Sequence, residues 1–170
     1  NFVPSWNAYS SFNLTNSFVS DDFYGLMDDN EGNLDNTDKL DIAVGRILAD
    51  SPQRAVELVD KIESYYKTES YGSWRNNFVV VSDDIDVAWE KILQQTTNDI
   101  ADNVTAEKPF INVTKIHSDS YQQESSAGGD RYPDVKEAFS DAIETGALVI
   151  NYFGHGGEDG LAKERIFEKT

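Results

Sequence analysis

Four segments of the chain run or alternate apolar as strands do, and three repeat apolar residues every three or four positions as helices do. Leu40-Asp-Ile-Ala-Val-Gly-Arg-Ile-Leu48 predicts a strand with a glycine near its end. Asp50-Ser51-Pro52 then predicts a helix start, a capping side chain followed by a proline whose missing N–H costs nothing in the first turn. The stripe Ala55, Val56, Leu58, Val59, Ile62 and Tyr66 reads as the buried face of that helix. Asn77–Ser82 is the second predicted strand, and a helix over about 86–101 follows, with Ala88, Ile92, Leu93 and Ile100 inward. Phe110–Ile116 alternates as a third strand, leading into a loop from His117 to Arg131 with His117 at the surface. Tyr132-Pro133-Asp134 opens a third helix with Val135, Ala138, Phe139, Ala142 and Ile143 on one face, and Gly146 stops it. The last segment, Ala147 to Ile150, reads as a strand buried on both faces and runs into Asn151-Tyr-Phe-Gly-His-Gly-Gly157.

Strand and helix alternate three times before the final strand, the order of an α/β fold with a parallel sheet and right-handed crossovers. Such a sheet collects its strand ends along one edge, where open α/β folds place their ligand crevices. Asp83, Asp84 and Asp86, after the second strand, and His155, in the glycine turn, are then expected at the same edge. Each has a plainer reading. The acids suit the start of the next helix, one of them as its cap, and the histidine suits an incidental place in a Gly-rich turn.

The totals narrow the function classes. The 170 residues are 39% hydrophobic and 12% aromatic, enough for a folded domain with a core. Thirty-one acids against 14 bases give a net charge of −17, which repels a phosphate backbone, so nucleic acid is not an expected partner. The chain contains no cysteine, so these residues hold no disulfide, no zinc–thiolate site and no thiol nucleophile. No apolar run approaches the roughly 20 residues that span a bilayer. The first residue is Asn1 rather than methionine, and the chain reads as a fragment or processed piece. Residues 1–39 are irregular and acidic; Asp21, Asp22, Asp28 and Glu31 make an oxygen-rich loop, for which Ca²⁺ is a candidate ligand. The spacing departs from the EF-hand pattern, and a solvated turn accounts for the same residues.

Five segments in order, Ser20-Asp-Asp-Phe-Tyr-Gly25, Leu40-Asp-Ile-Ala-Val-Gly-Arg46, Gly72-Ser-Trp-Arg75, Val80-Val-Ser-Asp-Asp84 and Val149-Ile-Asn-Tyr-Phe-Gly-His-Gly-Gly-Glu158, resemble the gingipain family of cysteine peptidases. The resemblance covers nearly the whole chain. Through Gly156-Gly-Glu-Asp-Gly160 and Glu164-Arg165-Ile166 it looks nearest to the PorU-type sortases of the type IX secretion system. It implies a caspase-like, gingipain-type fold: a parallel-sheet sandwich with helices on both faces, here incomplete at both ends, the whole chain being a segment of one catalytic domain. It implies that His155 is the general base and acid of a Cys–His dyad and that the Gly156 N–H binds the oxyanion. It also places Asp83, Asp84 and Asp86 near the family's site for a basic substrate side chain. No cofactor is implied as required. The implied partners are the C-terminal sorting domain of a secreted cargo protein, a surface lipopolysaccharide acceptor and type IX secretion components, at the outer membrane or cell surface of a Gram-negative bacterium. The cysteine is expected on a following strand. Two other readings remain beside this one: an ordinary secreted gingipain-like protease, and a non-catalytic caspase-like scaffold or Ca²⁺-binding module.

Overall fold

In the computed structural model the chain divides into two units, residues 1–67 and 68–170. Residues 3–8, 12–13, 17–34 and 37–168 are described, so parts of the irregular stretch 1–39 lie outside them.

Unit one holds little regular structure. The short strands β1 (Trp6–Asn7) and β2 (Val19–Ser20) pair antiparallel, and Trp6 packs against Phe18 with ring centroids 5.6 Å apart. Arg46 ties the unit together. Its guanidinium forks onto both oxygens of Asp21, each at 2.6 Å, and donates to the carbonyls of Val3 and Pro4 at 3.0 and 2.9 Å. The expected strand at residues 40–48 forms no ladder among the described residues. An apolar run becomes a strand only beside a partner edge; here the main chain is held at Asp41, whose N–H donates to the Gly25 carbonyl at 2.9 Å.

Helix α1 (Pro52–Tyr65) begins as the sequence predicts, with the Ser51 hydroxyl accepting the Arg54 N–H at 3.2 Å. Its apolar stripe is not core. No residue of the helix is buried, and Val56 is 54% and neighbouring Tyr66 73% exposed. Leu58, Ile62, Tyr65 and Tyr66 instead line one side of an open hollow of ≈ 580 Å³, with Ile47 and Leu48 on the other.

Unit two carries the parallel sheet. Its strands are β3 (Asn77–Ser82), β4 (Asn112–His117) and β7 (Val149–Phe153), in the order β4-β3-β7. Between β3 and β4 runs α2 (Lys91–Glu107), preceded by a 3₁₀ turn at Ala88–Glu90. After β4 come a hairpin of β5 (Glu124–Ser126) and β6 (Gly129–Arg131), then α3 (Pro133–Thr145). Gly146, at φ 89°, ends α3 in a conformation that favours glycine. Beyond β7, β8 (Gly160–Leu161) and β9 (Phe167–Glu168) form a small antiparallel pair.

The helices take opposite faces. Val79, Val81 and Ile116 pack with Val135 and Phe139 of α3 and with Ile166, all buried. The intervening side chains meet α2, where Lys115 binds Asn98 and Asp102 at 2.6 Å each and Gln94 contacts His117 at 3.2 Å. This is the parallel sheet with helices on both faces that a caspase-like fold requires.

Three expectations change here. The strand buried on both faces is the central β3; among the described residues β7 pairs only with β3, and its end residues Val149 and Phe153 are exposed. The α-helix starts at Lys91 rather than near 86, because Val87 is extended and the Glu90 carboxylate accepts its N–H at 2.7 Å; Leu93, Thr97 and Ala101 are its buried residues, while Ile92 is exposed. His117 is buried rather than superficial, since its end of β4 lies under α2. Burial, followed by the charge of Lys115, pushes its imidazole below the usual histidine range.

Phe139 is the largest side chain that α3 contributes to this core. Phe139→Ala is expected to cost about 3–5 kcal/mol in chemical denaturation; a loss below about 1 kcal/mol would remove it from the core.

Candidate active site

The parallel pairing of β3 and β7 ends with the Asp83 N–H donating to the Phe153 carbonyl at 3.3 Å. One residue beyond β7, Gly154 lies so close to β3's end that a Cβ there would be 2.5 Å from Asp83 Cβ and 2.3 Å from the Tyr152 hydroxyl. Only glycine fits. The next residue, His155, meets Asp83 twice at one oxygen: its main-chain N–H donates to Oδ2 at 2.8 Å, and ring Nδ1 lies 2.9 Å from the same atom. A carboxylate only accepts, so the nitrogen facing it carries the proton, and in the neutral ring Nε2 is the nitrogen with the free lone pair. Asp83 is 3% exposed at its side chain and His155 53%, a buried anchor under an accessible imidazole.

Around the ring, Trp89 stands edge-on with centroids 6.1 Å apart, and Glu90 Oε1 is 3.6 Å from Nε2. The chain then folds back. Gly157 donates to the Gly160 carbonyl at 2.9 Å and Ala162 to the His155 carbonyl at 2.8 Å, with Gly156 facing Leu161 between them. In this arrangement Gly156 occupies a non-hydrogen-bonded position, so its N–H points away from the hairpin.

A hollow of ≈ 200 Å³ beside His155 is lined by Asp83, Asp84, Asp86, Glu90 and Glu164, with Lys163 as its one cation. Asp86 is half of an exposed pair, Lys163 Nζ donating to it at 3.3 Å. Asp84 is buried and accepts from the Tyr132 hydroxyl at 3.2 Å and Gln123 at 3.4 Å. Burial and then the Asp83 and Asp86 charges hold its carboxyl above the usual range. Burial does the same to Glu164. None of the three aspartates caps α2, which begins further along the chain.

Among the described residues, Asp83, Asp84 and Glu164 form the acidic group whose ligand oxygens come close enough, within 4.8 Å, to hold an ion. The oxygen donor set suits a hard cation such as Ca²⁺. In the amino-terminal loop Asp21 is engaged by Arg46, and Glu31 accepts the N–H groups of Asp28 and Lys39 at 3.3 and 3.2 Å; Asp22 follows as the start of a 3₁₀ turn.

A histidine held by a buried aspartate on a Gly-His-Gly turn, at the carboxyl edge of a parallel sheet, is a constellation for proton transfer. The family model of peptidase family C25 matches residues 1–170. The chain belongs to peptidase family C25, the gingipain family. These are cysteine peptidases, so the C25 assignment makes the chain part of a hydrolase that cuts peptide bonds through a thiol. No curated protein and no solved structure matches it.

Sequence reasoning passed over four residues of this C25 site: Tyr152, Trp89, Glu90 and Glu164. Tyr152 stood in the run Asn151-Tyr-Phe-Gly-His-Gly-Gly157 with no role of its own, and Trp89 and Glu90 fell in a helix that starts after them. Glu164 stood out only within the motif Glu164-Arg165-Ile166, because its burial depends on the chain turning back through Ala162 and Arg165, both at positive φ.

The raised Glu164 carboxyl sets a sign for stability against pH. The folded protein holds its proton to higher pH than the unfolded chain, so this group's unfavourable contribution grows as pH rises through and above its ordinary value of 4.5. Glu164→Gln is therefore expected to melt higher than the parent at neutral pH, with the gain shrinking as pH falls below that value. A gain that persists undiminished in acid would refute this origin.

Proposed function

We propose that His155 is the general base and acid of this C25 peptidase, with Asp83 orienting it. The observation that carries the reading is the double attachment of His155 to one buried oxygen of Asp83. Nδ1 is tied down, so Nε2 takes the thiol proton as sulfur attacks the scissile carbonyl carbon. The same nitrogen returns that proton to the leaving amine as the C–N bond breaks. The Gly156 N–H stabilises the oxyanion between these events. The nucleophile is a cysteine supplied by sequence beyond these 170 residues. Asp84 and Asp86, in the acidic hollow, favour a basic side chain on the substrate, while Asp83 serves the histidine.

At the finer level the reading is a PorU-type sortase, exported to the outer membrane or cell surface by way of the type IX secretion system. It cleaves the C-terminal sorting domain from secreted cargo and passes the acyl group to an amine on surface lipopolysaccharide. Calcium enters as a structural ion, at the loop of Asp21, Asp22, Asp28 and Glu31 or at the buried acidic trio.

In the complete protein, His155→Ala is expected to abolish cleavage of a cargo sorting domain while leaving the melting temperature near that of the parent. Asp83→Asn is expected to lower kcat by about 10²–10⁴-fold, because the amide presents the imidazole with the wrong partner. Cleavage that survives His155→Ala would end the dyad assignment. Mass spectrometry of the released cargo separates transfer from hydrolysis: an added amine acceptor supports the sortase reading, and a free carboxyl-terminus in the presence of acceptor overturns it. For calcium, a higher melting temperature at millimolar Ca²⁺ is expected, and an unchanged one removes the ion.

A further inference from the structure

Tyr152 is the last inward residue of β7 and packs against the α3-side core. Its hydroxyl passes over Gly154 and donates to the His155 carbonyl at 2.6 Å, three residues on in sequence. The same carbonyl accepts the Ala162 N–H at 2.8 Å. Thus the main chain of His155 is held at both polar groups: N–H by Asp83, and C=O by Tyr152 and Ala162. This matters because the imidazole itself is half exposed.

The glycines leave the turn's backbone more conformational freedom than a strand packed in the core, and the phenol bridges one to the other. Burial, then the neighbouring Asp83 charge, pushes the phenol well above the usual tyrosine range, so it remains a donor wherever the enzyme operates. Gly154 belongs to the same device. With any side chain there, the hydroxyl would be displaced from the position it needs to reach the carbonyl.

We propose that Tyr152 is a positioning residue for the peptidase reaction, its hydroxyl fixing the His155 main chain so that Nδ1 stays on Asp83 and Nε2 faces the reaction. The inference rests on the reading of His155 as the proton-transfer residue. Tyr152 acts through His155, whose carbonyl its hydroxyl binds.

The test is Tyr152→Phe in the complete protein, which keeps the ring in the core and removes only the donor. Cargo cleavage is expected to lose about threefold to tenfold in kcat with KM unchanged, the worth of one hydrogen bond. In the same variant the Nδ1–H signal of His155, assigned by its loss in His155→Ala, is expected to exchange faster with solvent. Replacing Tyr152 by 4-aminophenylalanine, which restores an N–H donor at the same place, is expected to recover both. Wild-type kcat and an unchanged Nδ1–H signal in Tyr152→Phe would overturn the proposal. So would a defect that 4-aminophenylalanine leaves in place, since that is the mark of lost packing alone. If His155→Ala is inactive and Tyr152→Phe is fully active, only the role of Tyr152 falls. If His155→Ala remains active, the reading of His155 falls and takes this proposal with it.

Discussion

One carboxylate oxygen, Oδ2 of Asp83, receives both the main-chain N–H and the ring nitrogen of His155. The rest of the site follows from that double contact. Asp83 must be buried and fixed, which its place directly after the fully covered strand β3 ensures. The turn must approach within a distance that only Gly154 allows. The parallel register must bring the ends of β3 and β7 level, so that chain separated by more than 70 positions meets at one atom. Oligopeptides with the same local sequence could not do this; the sheet is what supplies proximity.

The electrostatics of the site are set by the same crowding. Burying Asp83, Asp84 and Glu164 together raises the last two, because each charged form would lack water and face other charges. Partial relief comes from the Tyr132 and Gln123 donors to Asp84 and from Lys163 on the exposed rim. Such a cluster is an expensive feature for a structure to keep, and clusters of this sort gather where charge is used. Here it lies beside His155, whose side chain is 53% exposed.

How much of this was legible in the sequence depends on what each signal measures. The strand at 77–82, most of the strand expected at 110–116 (observed at 112–117) and the helix from Pro133 were readable because their apolar periods reflect packing that exists within unit two. His155 was readable because glycines on both sides and an apolar strand before it are local signals. The three aspartates were readable as a group, but their separate duties were not. Asp83 turns to His155, Asp84 to Tyr132 and Asp86 to Lys163, and those partners lie 72, 48 and 77 positions away. No local rule distinguishes three neighbouring carboxylates by contacts so distant. Tyr152 was hidden for the opposite reason: its hydroxyl makes a short-range contact, three positions along, but in a strand-to-turn geometry that alternation alone does not reveal.

Unit one shows the limit of reading burial from periodicity. The stripe on α1 has the spacing of a core face, and the run at 40–48 has the composition of a strand, yet both remain substantially exposed. Periodicity reports that a segment has an apolar side; it does not report which surface covers it. In unit two the apolar sides of β3 and α3 meet across the sheet, and there prediction and structure coincide. In unit one the ordering instead comes from a polar element, the Arg46 fork onto Asp21 and the Val3 and Pro4 carbonyls, which ties residues about 40 positions apart without burying the apolar stripe. The same sequence logic therefore succeeds or fails according to whether hydrophobic packing or a charged hydrogen-bond fork organises the segment.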